Sequence, residues 1–187
     1  GVSSADASIA IGSGWGNSAR AHTNFSIAIG DQSDAIGEAA IALGRQAKTN
    51  GEQAAVAIGN QTEANAAHST AVGSGTHTEA KYAAAFGFQS KAIKEYATAI
   101  GSGAQGEGED SQAIGRQAQT TGYRAVAVGT LAKALNNSAV AIGEKSVADG
   151  TNSIAMGKTN KAHSFDSIAI GNSNNSRSSS AISIGSD

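Results

Sequence analysis

Few residues in this sequence have the types and spacing for chemistry. Gly101-Ser102-Gly103-Ala104-Gln105-Gly106 satisfies the GxGxxG spacing by which backbone amides cradle a pyrophosphate. That chemistry needs a preceding strand and a following helix, and no βαβ pattern surrounds the motif. Glu107-Gly108-Glu109-Asp110 gathers carboxylates of the kind that hold Ca²⁺, although a solvated turn accounts for them more simply. His22, His68, His77 and His163 lack metal-ligand spacing, and there is no Cys to complete a zinc set, so each reads as a surface residue. No Ser stands in a nucleophile elbow with an identifiable base, and no paired carboxylates recur in one repeat unit. The expectation is a protein that is not an enzyme and needs neither metal nor cofactor.

Binding residues are better candidates. Trp15, the only Trp, sits with Arg20 and His22 in a stretch that departs from the spacing of the rest of the chain. Such a loop offers an aromatic and basic contact for a partner. The preferred alternative is that Trp15 caps the open end of a repeating structure. Lys48, Lys91, Lys133 and Lys161 each occupy the fourth position after a recurring Gly, which places them on one outward column with Asp34 and Glu63 interrupting it. Several copies of such a column bind by avidity; a solvated face that keeps the surface soluble is the plainer reading.

The elements that position these residues come from a repeat. Segments such as Ser26-Ile27-Ala28-Ile29-Gly30 and Ala139-Val140-Ala141-Ile142-Gly143 return along the chain, closing on Gly at 12, 30, 44, 59, 73, 87, 101, 115, 129, 143, 157, 171 and 185. Nearly every spacing is 14, with one of 15 and one of 18. The residue before the Gly is large and apolar, the one before that is Ala except at Ser183, and the next is mostly Ile or Val. Apolar, small, apolar is a period of two and predicts a strand with unlike faces. After the Gly a second alternation begins, small residues such as Ala47 and Thr49 flanking outward ones such as Lys48. Asn50-Gly51, Glu107-Gly108, Thr121-Gly122 and Asp149-Gly150 supply a turn.

Two strands of about five residues and two turns make one coil of a parallel solenoid. The fold class expected is all-β, a β-roll of about thirteen 14-residue coils, on the order of 60 Å long. Composition agrees: Gly supplies 24 of 187 residues and Ala 39, aromatics only 4%, and Pro is absent, as a ladder that spares no amide requires. Two large side chains per coil do not offset the ordering of fourteen residues. A second buried face is therefore expected, and the Ala column is the candidate. The reading is that Ala10, Ala28, Ala42, Ala57, Ala71, Ala85, Ala99, Ala113, Ala127, Ala141, Ala155 and Ala169 form the packing surface between copies of the chain.

The repeat resembles the head of YadA-like trimeric autotransporter adhesins, whose unit reads Asn-Ser-Val-Ala-Ile-Gly-x-x-Ser. Asn152-Ser153-Ile154-Ala155-Met156-Gly157 is a near match, with Asn160 in the last position, as is Phe25-Ser26-Ile27-Ala28-Ile29-Gly30 with Ser33. The resemblance implies a left-handed roll, three copies around an axis, display on the outer surface of Gram-negative bacteria, and attachment to host extracellular matrix or cell receptors. Residues 1–187 then form a single head domain cut from a longer chain, with neck, stalk and membrane anchor lying elsewhere. The leading Asn is mostly replaced here, and Thr70, Ala84, Thr98 and Gln112 stand where Val is expected, so ligand identity does not follow from the resemblance. The net charge of -2 gives no footprint for nucleic acid. No apolar run approaches the roughly 18 residues of a membrane span, so the membrane enters only through the anchor. The alternative function is a spacer that lengthens a fibre. An enzyme would need charged side chains clustered on adjacent coils, and ice binding an outward Thr ladder; neither pattern is present.

Overall fold

The computed structural model describes residues 1–3, 5–12 and 18–186, which fall into two compact units, Gly1–Tyr96 and Ala97–Asp187. Both are all-β, with no helix among the described residues, and together they make about thirteen coils of a parallel solenoid. Each coil contributes one strand to each of two sheets. In the first unit the apolar sheet contains Ile27–Ile29, Ile41–Leu43, Val56–Ile58, Thr70–Val72 and Ala84–Phe86, with Ala28 opposite Ala42, Ala42 opposite Ala57 and Ala57 opposite Ala71. The polar sheet contains Asp34–Ala35, Lys48–Thr49, Glu63–Ala64, His77–Thr78 and Lys91–Ala92, paired in the same register. The second unit repeats the plan, from Thr98–Ile100 to Ile182–Ser186 in one sheet and from Gln105–Gly106 to Asn175–Ser176 in the other.

Most strands are two or three residues long, shorter than the five expected, because each coil turns two sharp corners in the left-handed region. These corners fall five residues before the closing Gly and two after it, and they are held mostly by ordinary residues such as Tyr82 (φ 59°) and Gln46 (φ 58°). Each costs about 1 kcal/mol of local strain. The corner amides offset it by bonding the previous coil: Gln46 N–H donates to Asp31 O at 2.8 Å and Gln61 N–H to Arg45 O at 2.9 Å. The closing Gly is required for another reason. At Gly44, φ is 130° and a Cβ would lie 2.2 Å from the carbonyl oxygen of Gly59.

The structure overturns one expectation. Every buried hydrophobic residue described is an alanine. Ala28, Ala42, Ala57, Ala71 and Ala85 in the first unit, and Ala99, Ala113, Ala127, Ala141, Ala155 and Ala169 in the second, are wholly enclosed by their own chain, while the half-buried Ala10 packs on the same cluster. They are not a packing surface for other copies. At the centre of the apolar strand only a methyl is enclosed, and Ser, Thr and Asn160 fill the interior at the turns and the polar sheet. The alternation then sends the large residues outward: Ile29 and Ile58 are each 37% exposed, Phe86 39% and Ile100 40%. Interior serines bond the turn beside them, Ser69 Oγ donating to Ala66 O and Ser167 Oγ to Ser164 O, each at 2.7 Å.

Candidate functional site

The outward positions of the polar sheet carry most of the charged residues singled out from the sequence. They face away from the apolar sheet because the inward neighbours, Ser33 and Ala35, Ala47 and Thr49, Thr62 and Ala64, are all fully buried. Down the first unit the column reads Arg20, Asp34, Lys48, Glu63, His77, Lys91, each opposite the next. In the second unit Lys133 and Lys161 are separated by Val147. Within each unit the lysines therefore never adjoin, and none of the four has an ion-pair partner among the described residues.

The carboxylates, by contrast, are engaged. Arg20 Nη2 lies 3.1 Å from Asp34 Oδ2, and His22 Nε2 lies 2.7 Å from Asp34 Oδ1. His77 sits between Glu63, 3.2 Å from Nδ1, and Glu79, 3.1 Å from Nε2, while His163 Nδ1 meets Asp149 at 2.8 Å. Three of the four His thus bridge neighbouring positions on the polar face, a pairing visible in the sequence only once the register is known. Trp15 lies outside the described residues. Arg20 and Lys48 both line a groove of about 370 Å³ on the polar face of the first unit.

Two arrangements were missed in the sequence reading. His68, Tyr82 and Tyr96 stack in a continuous ribbon, with ring centroids 5.4 and 5.0 Å apart and planes within 5°. Their signal was present: all stand five residues before a closing Gly. In the second unit the Arg124 guanidinium lies 4.7 Å over the Tyr123 ring and its Nε is 3.8 Å from Asp110.

The motifs with chemical readings fare differently. Gly101 to Gly106 runs from the end of the strand Thr98–Ile100 into the strand Gln105–Gly106, so no helix N-terminus stands behind it to receive a phosphate. Among the described residues no three His, Asp or Glu side chains converge in a way that would hold a metal ion, the run at Glu107 included.

A coil of fourteen residues with Ala at its strand centre and a closing Gly is the unit of a known repeat, and the YadA head domain repeat matches residues 16–33, 35–55, 53–76, 79–104, 107–132 and 134–159. The chain belongs to this family. The YadA head is an adhesin module of surface-exposed autotransporters and not an enzyme family, and its repeat accounts for the parallel β-roll in both units. No curated protein matches the chain.

Proposed function

We propose that this chain is an adhesin head of the bacterial surface that assembles as a homotrimer and attaches multivalently to host extracellular-matrix protein or cell-surface receptors. The observation that carries the assembly is the outward column of large apolar residues. Ile27, Ile29, Ile41, Leu43, Val56 and Ile58 form a continuous strip on the first unit, and Val126, Val128, Val140, Ile142, Ile154 and Met156 on the second. All of these side chains retain solvent contact in the single chain. Such strips are rare on monomers and normal between copies. Three copies, a left-handed roll and one continuous head domain come from the family resemblance, as does anchoring in the outer membrane through parts beyond this chain. Host ligands then meet the opposite, polar face, with Arg20, His22, Lys48, Lys91, Lys133 and Lys161 as contacts, and Trp15 as a further one. The regularity of the coils favours a second reading, a spacer that holds another binding domain away from the cell.

Two measurements separate these readings. Light scattering gives the mass, and three chains per particle are expected; a single-chain mass removes the trimer. Saturable binding to immobilised collagen, fibronectin or laminin over an albumin control, at physiological salt, supports the adhesin. A trimer that binds none of these, nor host cells, is a spacer.

A further inference from the structure

The groove of about 370 Å³ on the first unit is lined by Arg20, Gln32, Gln46, Lys48, Gln61 and Glu63, together with Ser18, and by no apolar side chain. An amide ladder runs along it. Gln46 Nε2 donates to Gln32 Oε1 at 2.9 Å, and Gln61 Nε2 donates to Gln46 Oε1 at 3.2 Å. A primary amide has two N–H donors and two lone pairs. The ladder therefore uses only half the capacity of its middle rung, and the unused half matches a hydroxyl, which also donates and accepts. Rungs recur at roughly 4.8 Å, the strand spacing, close to the length of one pyranose ring.

Charge narrows the ligand further. Arg20 is committed to Asp34 and His77 to Glu63, whereas Lys48, lying in register between Asp34 and Glu63, is paired to neither. The groove thus offers one ammonium outside any ion pair, with three neutral amides and the Glu63 carboxylate beside it. Arg20 and Lys48 are balanced overall by Asp34 and Glu63, so a densely charged polyanion gains little. An apolar peptide finds no apolar wall. The groove is lined by the polar sheet and by the corner that carries Gln32, Gln46 and Gln61, and no residue of the apolar strip lines it.

We propose that this groove binds a carboxylate-bearing sugar of a glycan chain, its ring hydroxyls on the Gln32, Gln46 and Gln61 amides and its carboxylate on Lys48. This rests on the adhesin reading and specifies the ligand class. Titration of the chain with 3′-sialyllactose, trigalacturonate and lactose, followed by saturation-transfer NMR, tests it. At least one acidic sugar is expected to bind about tenfold tighter than lactose, the size of a charge-assisted contact, and which acid binds separates sialate from uronate. Lys48→Gln should remove that preference. Gln46→Gly, a residue the same corner already accommodates at Gly75 and Gly103, should weaken acidic and neutral sugars alike. Equal binding of lactose, no binding of either acid, an undisturbed preference in Lys48→Gln, or displacement of both acids by a dextran sulfate fragment, a polyanion without carboxylates, at equal concentration would overturn the proposal. Attachment of chain-coated beads to host cells distinguishes the two levels. If glycosidase treatment of the cells leaves attachment unchanged, the glycan inference fails and the adhesin reading stands. If untreated cells are not bound, the adhesin reading fails and the sugar titration still decides the groove.

Discussion

Inside the second unit, the side-chain carbonyl of Asn160 accepts the backbone N–H of Asn174 at 2.9 Å. The Asn160 amide also donates to the carbonyls of Met156 and Gly171, each at 2.6 Å, and Asn174 repeats the first of these patterns with Ile170 at 2.9 Å. Other coils place Ser, Thr or Ala here. The coils carrying Asn have five-residue strands, Ile154–Lys158 and Ile168–Asn172, where most have three. The hydroxyls of Thr62 and Thr76 also reach the next coil's Gly carbonyl, at Gly73 and Gly87; the Asn160 amide adds the bond to Met156 O and accepts the Asn174 N–H. Asn160→Ala should leave three backbone groups without this partner, one of them buried, and cost about 3 kcal/mol. Asn160→Ser, the residue at the equivalent Ser146, should cost less. Amide hydrogen exchange at Gly171 and Asn174 reads the difference.

The inward Ala and outward Ile predict opposite phenotypes for adjacent residues. Ala42→Leu must fit three extra carbons into a site with no exposed surface and should destabilise the first unit by about 3 kcal/mol. Ile41→Ser removes an outward side chain and should leave the β-sheet circular dichroism intact while reducing particle mass in light scattering. If Ala42→Leu changes mass and not unfolding temperature, the assignment of faces is wrong.

Two glycines of the first unit should differ in tolerance. Gly44→Ala places a Cβ 2.2 Å from the Gly59 carbonyl oxygen, and the chain should not accumulate in soluble form. At Gly75, φ is 65° and a Cβ meets only Gln89 Cγ at 3.4 Å, so Gly75→Ala should express normally and lose about 1 kcal/mol, measured by denaturant midpoint.

Tyr82 stacks on both His68 and Tyr96, while its corner backbone is already strained. Tyr82→Ala should forfeit both ring contacts and cost about 1 to 3 kcal/mol. Tyr82→Phe keeps the ring and should restore stability. Near-UV circular dichroism and the denaturant midpoint of the pair check this, and equal loss in both variants would show that the hydroxyl, not the stack, matters.

The sequence by itself determined the period, the element type and the pairing. The apolar period of two, with Gly recurring about every 14 residues, argues against helix. Equivalent positions of successive repeats, Ala42 beside Ala57 and Lys48 beside Glu63, can align only if successive strands run parallel. It also marked the outward polar column, because Lys48 alternates with Ala47 and Thr49, and charge has one admissible side. The apolar strand had no such marker. In Ile41-Ala42-Leu43 either face is apolar, and the alternation is equally satisfied with Ile or Ala inside. Only the tertiary structure decided this, because the closure of fourteen residues fills the interior facing the apolar strand with the Thr, Ser and Asn side chains of the polar sheet and turns, leaving room for a methyl at the strand centre. The same closure decided the groove: Gln32, Gln46 and Gln61 are separate residues in the chain, and become one ladder when the coils stack.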